Sequence, residues 1–148
     1  MYHYRECGLP NVYLINGYRE VKTPEGSGIA IEDVEGLHMA IARDLVDAKS
    51  ILSGPEVRFI RKFLDLTQSG LADLLGVEDQ SVRRWEKLAR VPRQADHGVR
   101  LVFRDLTRRA DMPLAELVRR IALARDTRKV SYRFQPSAHA WKPDRAAA

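Results

Sequence analysis

The sequence contains one cysteine, Cys7, and has no apolar run long enough to cross a membrane. A single cysteine excludes an internal disulfide and agrees with a reducing compartment. No basic-then-apolar leader is present, which predicts that the protein is not exported. We therefore expect a cytoplasmic protein in which Cys7 serves as a small hydrophobe.

The motifs of common enzymes and metal sites are also missing. There is no C-x-x-C pair, and the four histidines are scattered, so the close ligands of a zinc site cannot be assembled. There is no G-x-S-x-G, no H-E-x-x-H and no lysine-bearing phosphate loop. The acidic cluster Glu32, Asp33 and Glu35 is expected to begin a helix, because carboxylates stabilise a helix N-terminus. We expect no catalytic residue, no metal, no cofactor and no enzyme activity; an enzyme would need an unrecognised site near Cys7 and His38.

The positive charge is concentrated towards the end of the chain. The net charge is −3 over residues 1–53, +2 over residues 54–103 and +6 over residues 104–148, which together give +5. This asymmetry favours a phosphate-binding second half and a different role for the first part, although an ordinary arginine-rich surface is the alternative.

Residues 67–86, TQSGLADLLGVEDQSVRRWE, have the pattern of two short helices joined by a glycine turn. Thr67 is suited to cap the first helix, and Gly76 to take a left-handed conformation at its end. In the second helix, which starts at Asp79, Val82 and Trp85 fall on one side. Gln80, Arg84 and Lys87 fall on the other side, so one face can pack while the other binds a partner.

This stretch resembles the Cro/C1-repressor type of helix-turn-helix. The positions that fit are Thr67, Gln68, Leu71, Ala72, Leu75, Gly76, Val77, Val82, Trp85 and Glu86. Gly70 departs from the pattern, because glycine inside a helix costs about 0.5 to 1 kcal/mol relative to alanine. A helical hairpin used only for packing is the alternative.

The resemblance implies which residues contact DNA. Gln68 is expected at the sugar-phosphate backbone, and the second helix is expected in the major groove with Gln80 and Arg84 at base edges. Arg83 is rotated away from Arg84 and favours a phosphate; if the helix register slips by one residue, Arg84 is only a solvated side chain. The full set of expected DNA-binding residues is Gln68, Gln80, Ser81, Arg83, Arg84, Lys87 and Arg58.

Around this motif the chain predicts an α+β, mainly α, fold. Strands at Val12–Ile15 and Tyr18–Val21 are expected to form a hairpin about Asn16-Gly17, with Ile29–Ile31 returning after a turn at residues 24–28. A helix is expected over Val34–Ala48, with Leu37, Ile41, Leu45 and Ala48 on its apolar face.

Further helices surround the motif. Ser53-x-x-Glu56 is a capping box. It begins a helix whose core face is Val57, Ile60 and Leu64 and whose exposed face is Arg58, Arg61 and Lys62. A helix over residues 94–109 is expected to bury Ala95, Val99, Val102, Phe103 and Leu106, completing a bundle around Trp85.

The C-terminal region is expected to add a helix and a strand. Asp111 is suited to cap a helix with an exposed stripe of Leu114, Leu117, Val118 and Ile121, a candidate dimer interface. In Lys129–Phe134, apolar and polar side chains alternate, which predicts a strand that can join the N-terminal sheet. The domains predicted are 1–52, a β unit with one helix; 53–110, the DNA-binding domain; and 111–148, the C-terminal helix, strand and tail.

The order of a small β unit and a Cro-type domain is similar to that of MqsA-type antitoxins. In that family the N-terminal unit holds zinc through two cysteine pairs and contacts a toxin, while the helix-turn-helix dimerises and represses its own operon. Only Cys7 is present in this chain. The resemblance therefore best supports a cytoplasmic, nucleoid-associated homodimer that represses transcription at a palindromic operator in double-stranded DNA, with no membrane partner. The alternative is an antitoxin that holds a toxin through its N-terminal unit.

Overall fold

The computed structural model describes residues 1–107 and 131–144, in which five helices and six strands give an α+β fold. The described residues form two compact units. The first comprises residues 1–41 and 131–144, and the second comprises residues 42–107. The division falls within the first helix, α1 (Val34–Ala48), whose bounds are those predicted. Its residues Leu37, Ile41 and Leu45 are buried as expected, whereas Ala48 is exposed.

The first unit contains a four-stranded sheet that brings together distant parts of the chain. Its strands are β1 (Tyr2–His3), β2 (Val12–Leu14), β5 (Tyr132–Pro136) and β6 (Trp141–Pro143), in the order β1-β2-β5-β6. β2 and β5 run parallel, with Leu14 opposite Phe134, and both side chains are fully buried. The prediction that a strand near Lys129–Phe134 joins the N-terminal sheet is confirmed. The strand is seen from Tyr132 onwards, and residues 129 and 130 lie outside the described part.

The predicted hairpin about Asn16-Gly17 is wrong. The strand after this turn, β3 (Tyr18–Thr23), pairs with β4 (Gly26–Ile31) in a separate two-stranded sheet. A type I′ turn needs a positive φ at both central residues, but of the two only Gly17 has one, at +81°. A Cβ on Gly17 would lie 2.5 Å from Cη2 of Trp141. The glycine therefore directs the chain from one sheet to the other and leaves room for that indole ring.

The second unit continues with four helices: α2 (Gly54–Phe63), α3 (Gln68–Leu75), α4 (Asp79–Trp85) and α5 (Arg93–Thr107). The capping box at the start of α2 is confirmed, since the Ser53 side chain accepts from the Glu56 N–H and the Glu56 carboxylate accepts from the Ser53 N–H. Val57 and Ile60 are fully buried in the core, as predicted.

The apolar stripe predicted for α5 is confirmed in part. Ala95, Val99 and Phe103 are buried as expected, whereas Val102 is half-buried and Leu106 is 47% exposed. Asp96 and Arg100 are also buried, each about 1% exposed. Apolar periodicity misses these positions because the two charged side chains bind each other and can be buried together. Trp85, expected at the centre of the bundle, is only half-buried, and Leu64 is half-buried as well.

Arg100 joins α5 to the end of α1. Its guanidinium donates to both carboxylate oxygens of Asp96, at 2.9 and 3.1 Å, and to the carbonyls of Val46 and Lys49, each at 2.8 Å. These carbonyls lie at the end of α1, where backbone C=O groups have no hydrogen-bond partner within the helix. Asp96 also accepts from the backbone N–H of Leu52 at 2.8 Å. A single buried ion pair thus satisfies backbone groups at the end of α1 and in the connection between α1 and α2.

The helix predicted to begin at Asp111, with its stripe of Leu114, Leu117, Val118 and Ile121, lies outside the described residues. Across residues 1–107 and 131–144, no helix is both long and apolar enough to span a membrane.

Replacing Arg100 with alanine is expected to lower the free energy of unfolding by about 3 to 5 kcal/mol, because Asp96 is left buried without its counter-ion. Denaturant unfolding followed by circular dichroism measures this change. Arg58→Ala, an exposed arginine on α2, is the control and is expected to change stability by less than about 0.5 kcal/mol. A loss below about 1 kcal/mol for Arg100→Ala would contradict the assigned role.

Candidate functional site

The turn between α3 and α4 has the predicted backbone geometry. The Thr67 hydroxyl accepts from the backbone N–H of Gly70 at 2.9 Å, which confirms Thr67 as the cap of α3. Gly76 has φ +68° and ψ +31°, the left-handed conformation. Gly70 is the third residue of α3, so the glycine that departed from the pattern lies in the first turn and not in the helix interior.

The short helix α4 presents one buried side and one exposed side. Val82 is fully buried, while Gln80, Arg83 and Arg84 are exposed and Ser81 is half-buried. Lys87 is exposed in the turn that follows α4. The structure therefore collects five of the expected DNA-binding residues on or next to one helix. Arg58 is exposed on another helix, α2.

Arg61 is not part of an exposed basic face, contrary to the prediction. Its side chain is 10% exposed, and it donates to the Glu86 carboxylate at 2.6 and 2.9 Å and to the Leu66 carbonyl at 2.9 Å. A helical face contains every third or fourth residue, so spacing alone does not separate Arg61 from Arg58. The partner that decides its burial is Glu86, 25 residues further along the chain.

Glu86 also orients Gln68. The Gln68 side-chain amide donates to Glu86 Oε1 at 3.1 Å, so one carboxylate binds the side chains of both Arg61 and Gln68. Because an amide nitrogen is directed at Glu86, the Gln68 carbonyl oxygen must point away from that carboxylate. The expected backbone-contacting residue is therefore held half-buried at the start of α3 by the residue that follows α4.

Gly54 is a further residue of this site, and the sequence marks it only as part of a loop. Its backbone N–H donates to the Leu88 carbonyl at 2.8 Å. A Cβ on Gly54 would lie 2.5 Å from the carbonyl oxygens of Trp85 and Glu86. Only glycine lets the start of α2 approach the end of α4 this closely. A glycine followed by proline also indicates a turn, so the sequence contained no separate signal for this contact.

The exposed charges on α4 are weakly constrained. Arg83 and Asp79, one helical turn apart, approach to 3.5 Å with side chains 55% and 48% exposed. Exposed pairs of this kind contribute little to stability, so Arg83 can exchange Asp79 for another anion at small cost.

The first unit has a different chemical character. The Tyr4 hydroxyl lies 2.8 Å from His38 Nε2, and burial raises the pKa of Tyr4 to about 12 and lowers the pKa of His38. Burial also raises the pKa of the Cys7 thiol, which disfavours the reactive thiolate form. In the part of the chain that the structure describes, no three His, Cys, Asp or Glu side chains converge as metal ligands.

The Arg61–Glu86 ion pair is expected to be strongly coupled. Arg61→Met and Glu86→Leu should each lower the free energy of unfolding by about 3 kcal/mol, and the double variant should lose less than the sum, because no unpaired charge remains. Denaturant unfolding of the three variants measures the coupling free energy. The same cycle on Asp79 and Arg83, both changed to alanine, is the control and is expected to give less than about 0.5 kcal/mol. Equal coupling in the two cycles would contradict this prediction.

Comparison of the chain with models of known protein families, with curated proteins and with solved structures found no match in any of the three. The resemblance to Cro/C1-type regulators therefore depends on the residues of the 67–86 segment and on their geometry.

Proposed function

We propose that this chain is a sequence-specific DNA-binding transcriptional regulator with a Cro/C1-type helix-turn-helix, acting as a homodimeric repressor on a palindromic operator. The observation that carries the proposal is α4, which buries Val82 and exposes Gln80, Arg83 and Arg84 directly after a left-handed glycine turn. An α-helix with an exposed polar face fits the major groove of B-DNA, which is about 12 Å wide.

In this proposal α4 enters the major groove and α3 lies across its edge. Gln80 and Arg84 are one helical turn apart on the exposed side. A glutamine side chain can bind the N6 and N7 edge of adenine, and an arginine can bind the O6 and N7 edge of guanine. Gln68, oriented by Glu86, positions the start of α3 against the sugar-phosphate backbone without reading sequence.

Exposed cations on α2, on α4 and in the turn after α4 supply the phosphate contacts in this proposal. Arg58, Lys62, Arg83 and Lys87 are all exposed, and none of them is held in a buried ion pair. Arg61 is left out of this set because Glu86 neutralises it. Two such modules paired about a two-fold axis read half-sites roughly 34 to 36 Å apart, which supports the homodimer and the palindromic operator as parts of the proposal.

Arg84→Ala is expected to relax the base preference at one position in each half-site, with a loss of about 1 to 3 kcal/mol of discrimination. Arg83→Ala is expected to weaken binding to all sequences alike, because a phosphate contact carries no sequence information. Selection from a randomised duplex library, carried out with each variant, measures both effects. If Arg83→Ala gave the altered consensus and Arg84→Ala kept the original one, the assigned roles would be wrong.

Binding is expected to weaken steeply with salt, with each phosphate contact adding about 0.9 to the slope of log K against log salt concentration. Arg58→Ala and Lys87→Ala should each lower the slope by about one such increment. Lys22→Ala, an exposed lysine on β3 in the first unit, is the control and should leave the slope unchanged. An affinity that hardly varies with salt would argue against DNA as the ligand.

A further inference from the structure

An apolar groove lies beside α5. Its volume is about 600 Å³, and its lining residues are Leu75, Val77, Trp85, Arg93, Gln94, His97, Gly98 and Leu101. One of these lining residues, Leu101, is 43% exposed. A contiguous exposed apolar surface, unlike a single exposed side chain, can mark a site where another protein binds.

Along this side of α5, four residues spaced by four form one ridge. The α5 ridge consists of Arg93, His97, Leu101 and Asp105. Arg93, Leu101 and Asp105 are exposed and His97 is half-buried. Neither Arg93 nor Asp105 has an ion-pair partner among the described residues. Within the described residues, the ridge therefore has a cation without an ion-pair partner at one end, an anion without one at the other, and His97 and the apolar Leu101 at its centre.

We propose that this ridge is the dimer interface and that its occupant is the same ridge of a second copy of the chain. The proposal deepens the proposed function and rests on its homodimer. In a two-fold dimer both copies use the same surface. If residue i of one copy contacts residue j of the other, residue j of the first copy also contacts residue i of the second. Residues 93 and 105 are equally distant from position 99, as are 97 and 101. Antiparallel pairing about that position places each Arg93 next to the partner's Asp105 and each His97 next to the partner's Leu101.

The commonest packing of two helices has the geometry that this pairing needs. When helices cross at about −50°, their i, i+4 ridges run alongside one another. The groove beside the ridge can then receive the partner's Leu101. Gly98 is also important here, because a Cβ at this position would lie 2.7 Å from Leu75 Cδ2 and force that side chain out of its place in the groove wall.

The charges select a second copy over other occupants. A partner helix of uniformly acidic character would satisfy Arg93 but would repel Asp105, and a basic helix would do the reverse. Only a partner with both signs in opposite order satisfies both ends, and the chain itself carries that order.

The experiment is sedimentation equilibrium of the full-length chain without DNA, on the wild type, Arg93→Asp, Asp105→Arg and the double charge swap. Each single variant is expected to weaken dimerisation by about tenfold or more, since like charges then meet at both symmetric contacts. The double variant restores opposite charges and is expected to return to within about threefold of the wild type. A double variant as weak as the singles would overturn the proposal, and so would a monomeric wild type.

A second pair of variants tests the apolar centre. Leu101→Glu is expected to abolish the dimer, because two carboxylates would be buried close to the two-fold axis. Leu106→Glu is the matched control, since Leu106 is on the same helix and 47% exposed but is not part of the ridge; it should remain dimeric. Circular dichroism confirms that each variant folds. A dimeric Leu101→Glu variant with the wild-type fold would overturn the proposal.

The proposed function is tested separately, by titrating a duplex with a single half-site, to which one copy can bind. Half-site binding by monomeric Leu101→Glu supports both proposals. A wild-type dimer that responds to the charge swap but binds no DNA would keep the interface and reject the regulator. A wild-type dimer that binds DNA but is insensitive to the charge swap would reject the α5 ridge as the interface and keep the proposed regulator.

Discussion

The arrangement of helices in the second unit depends on the buried guanidinium of Arg100. Its cost of dehydration is offset because each of its nitrogens donates, to the Asp96 carboxylate or to the carbonyls of Val46, Lys49 and Ser50. The last turn of α1 and the residues before α2 would otherwise leave these backbone groups unsatisfied inside the protein. The buried Arg100–Asp96 pair thus provides the hydrogen bonds that backbone groups usually find within a helix or a loop. It also links α5 to the residues just before α2.

Local chemistry was predictable from the sequence, and long-range pairing was not. The bounds of α1, the Ser53 capping box, the Thr67 cap and the left-handed Gly76 each depend on residues within one or two turns of each other. For β5, the sequence predicted a strand that can join the N-terminal sheet but did not predict β2 as its neighbour. Alternation of side chains identifies a strand and not the strand it pairs with. The same limit explains the wrong hairpin: Asn16-Gly17 permits a tight turn, but Trp141, far along the chain, determines what the glycine is used for.

The candidate site shows the same division. The sequence placed Gln80, Arg83 and Arg84 on one short helix, and helical periodicity identified Val82 as its buried residue. It did not predict that Glu86 would bind both Arg61 and Gln68, or that Gly54 would contact the end of α4. These contacts join residues of three helices, and no pattern within a single helix encodes them. They hold α4 against α2 and α3 from its C-terminal end, so the exposed side of α4 is positioned by residues that do not belong to that side.

The parallel pairing of β2 with β5 has a consequence for the order in which the chain folds. All described residues of the second unit are contiguous, whereas Leu14 meets its partner Phe134 only after the intervening chain has been made. Contacts between distant residues carry a larger loop-closure entropy, and helical units with local contacts form sooner. During synthesis, β1 and β2 therefore emerge before the helices but complete their sheet only after β5 and β6 have been made, and until then β2 has an unpaired edge. The described helices of the second unit, with α4 already in place, can therefore be complete before the sheet whose first two strands precede them in the sequence.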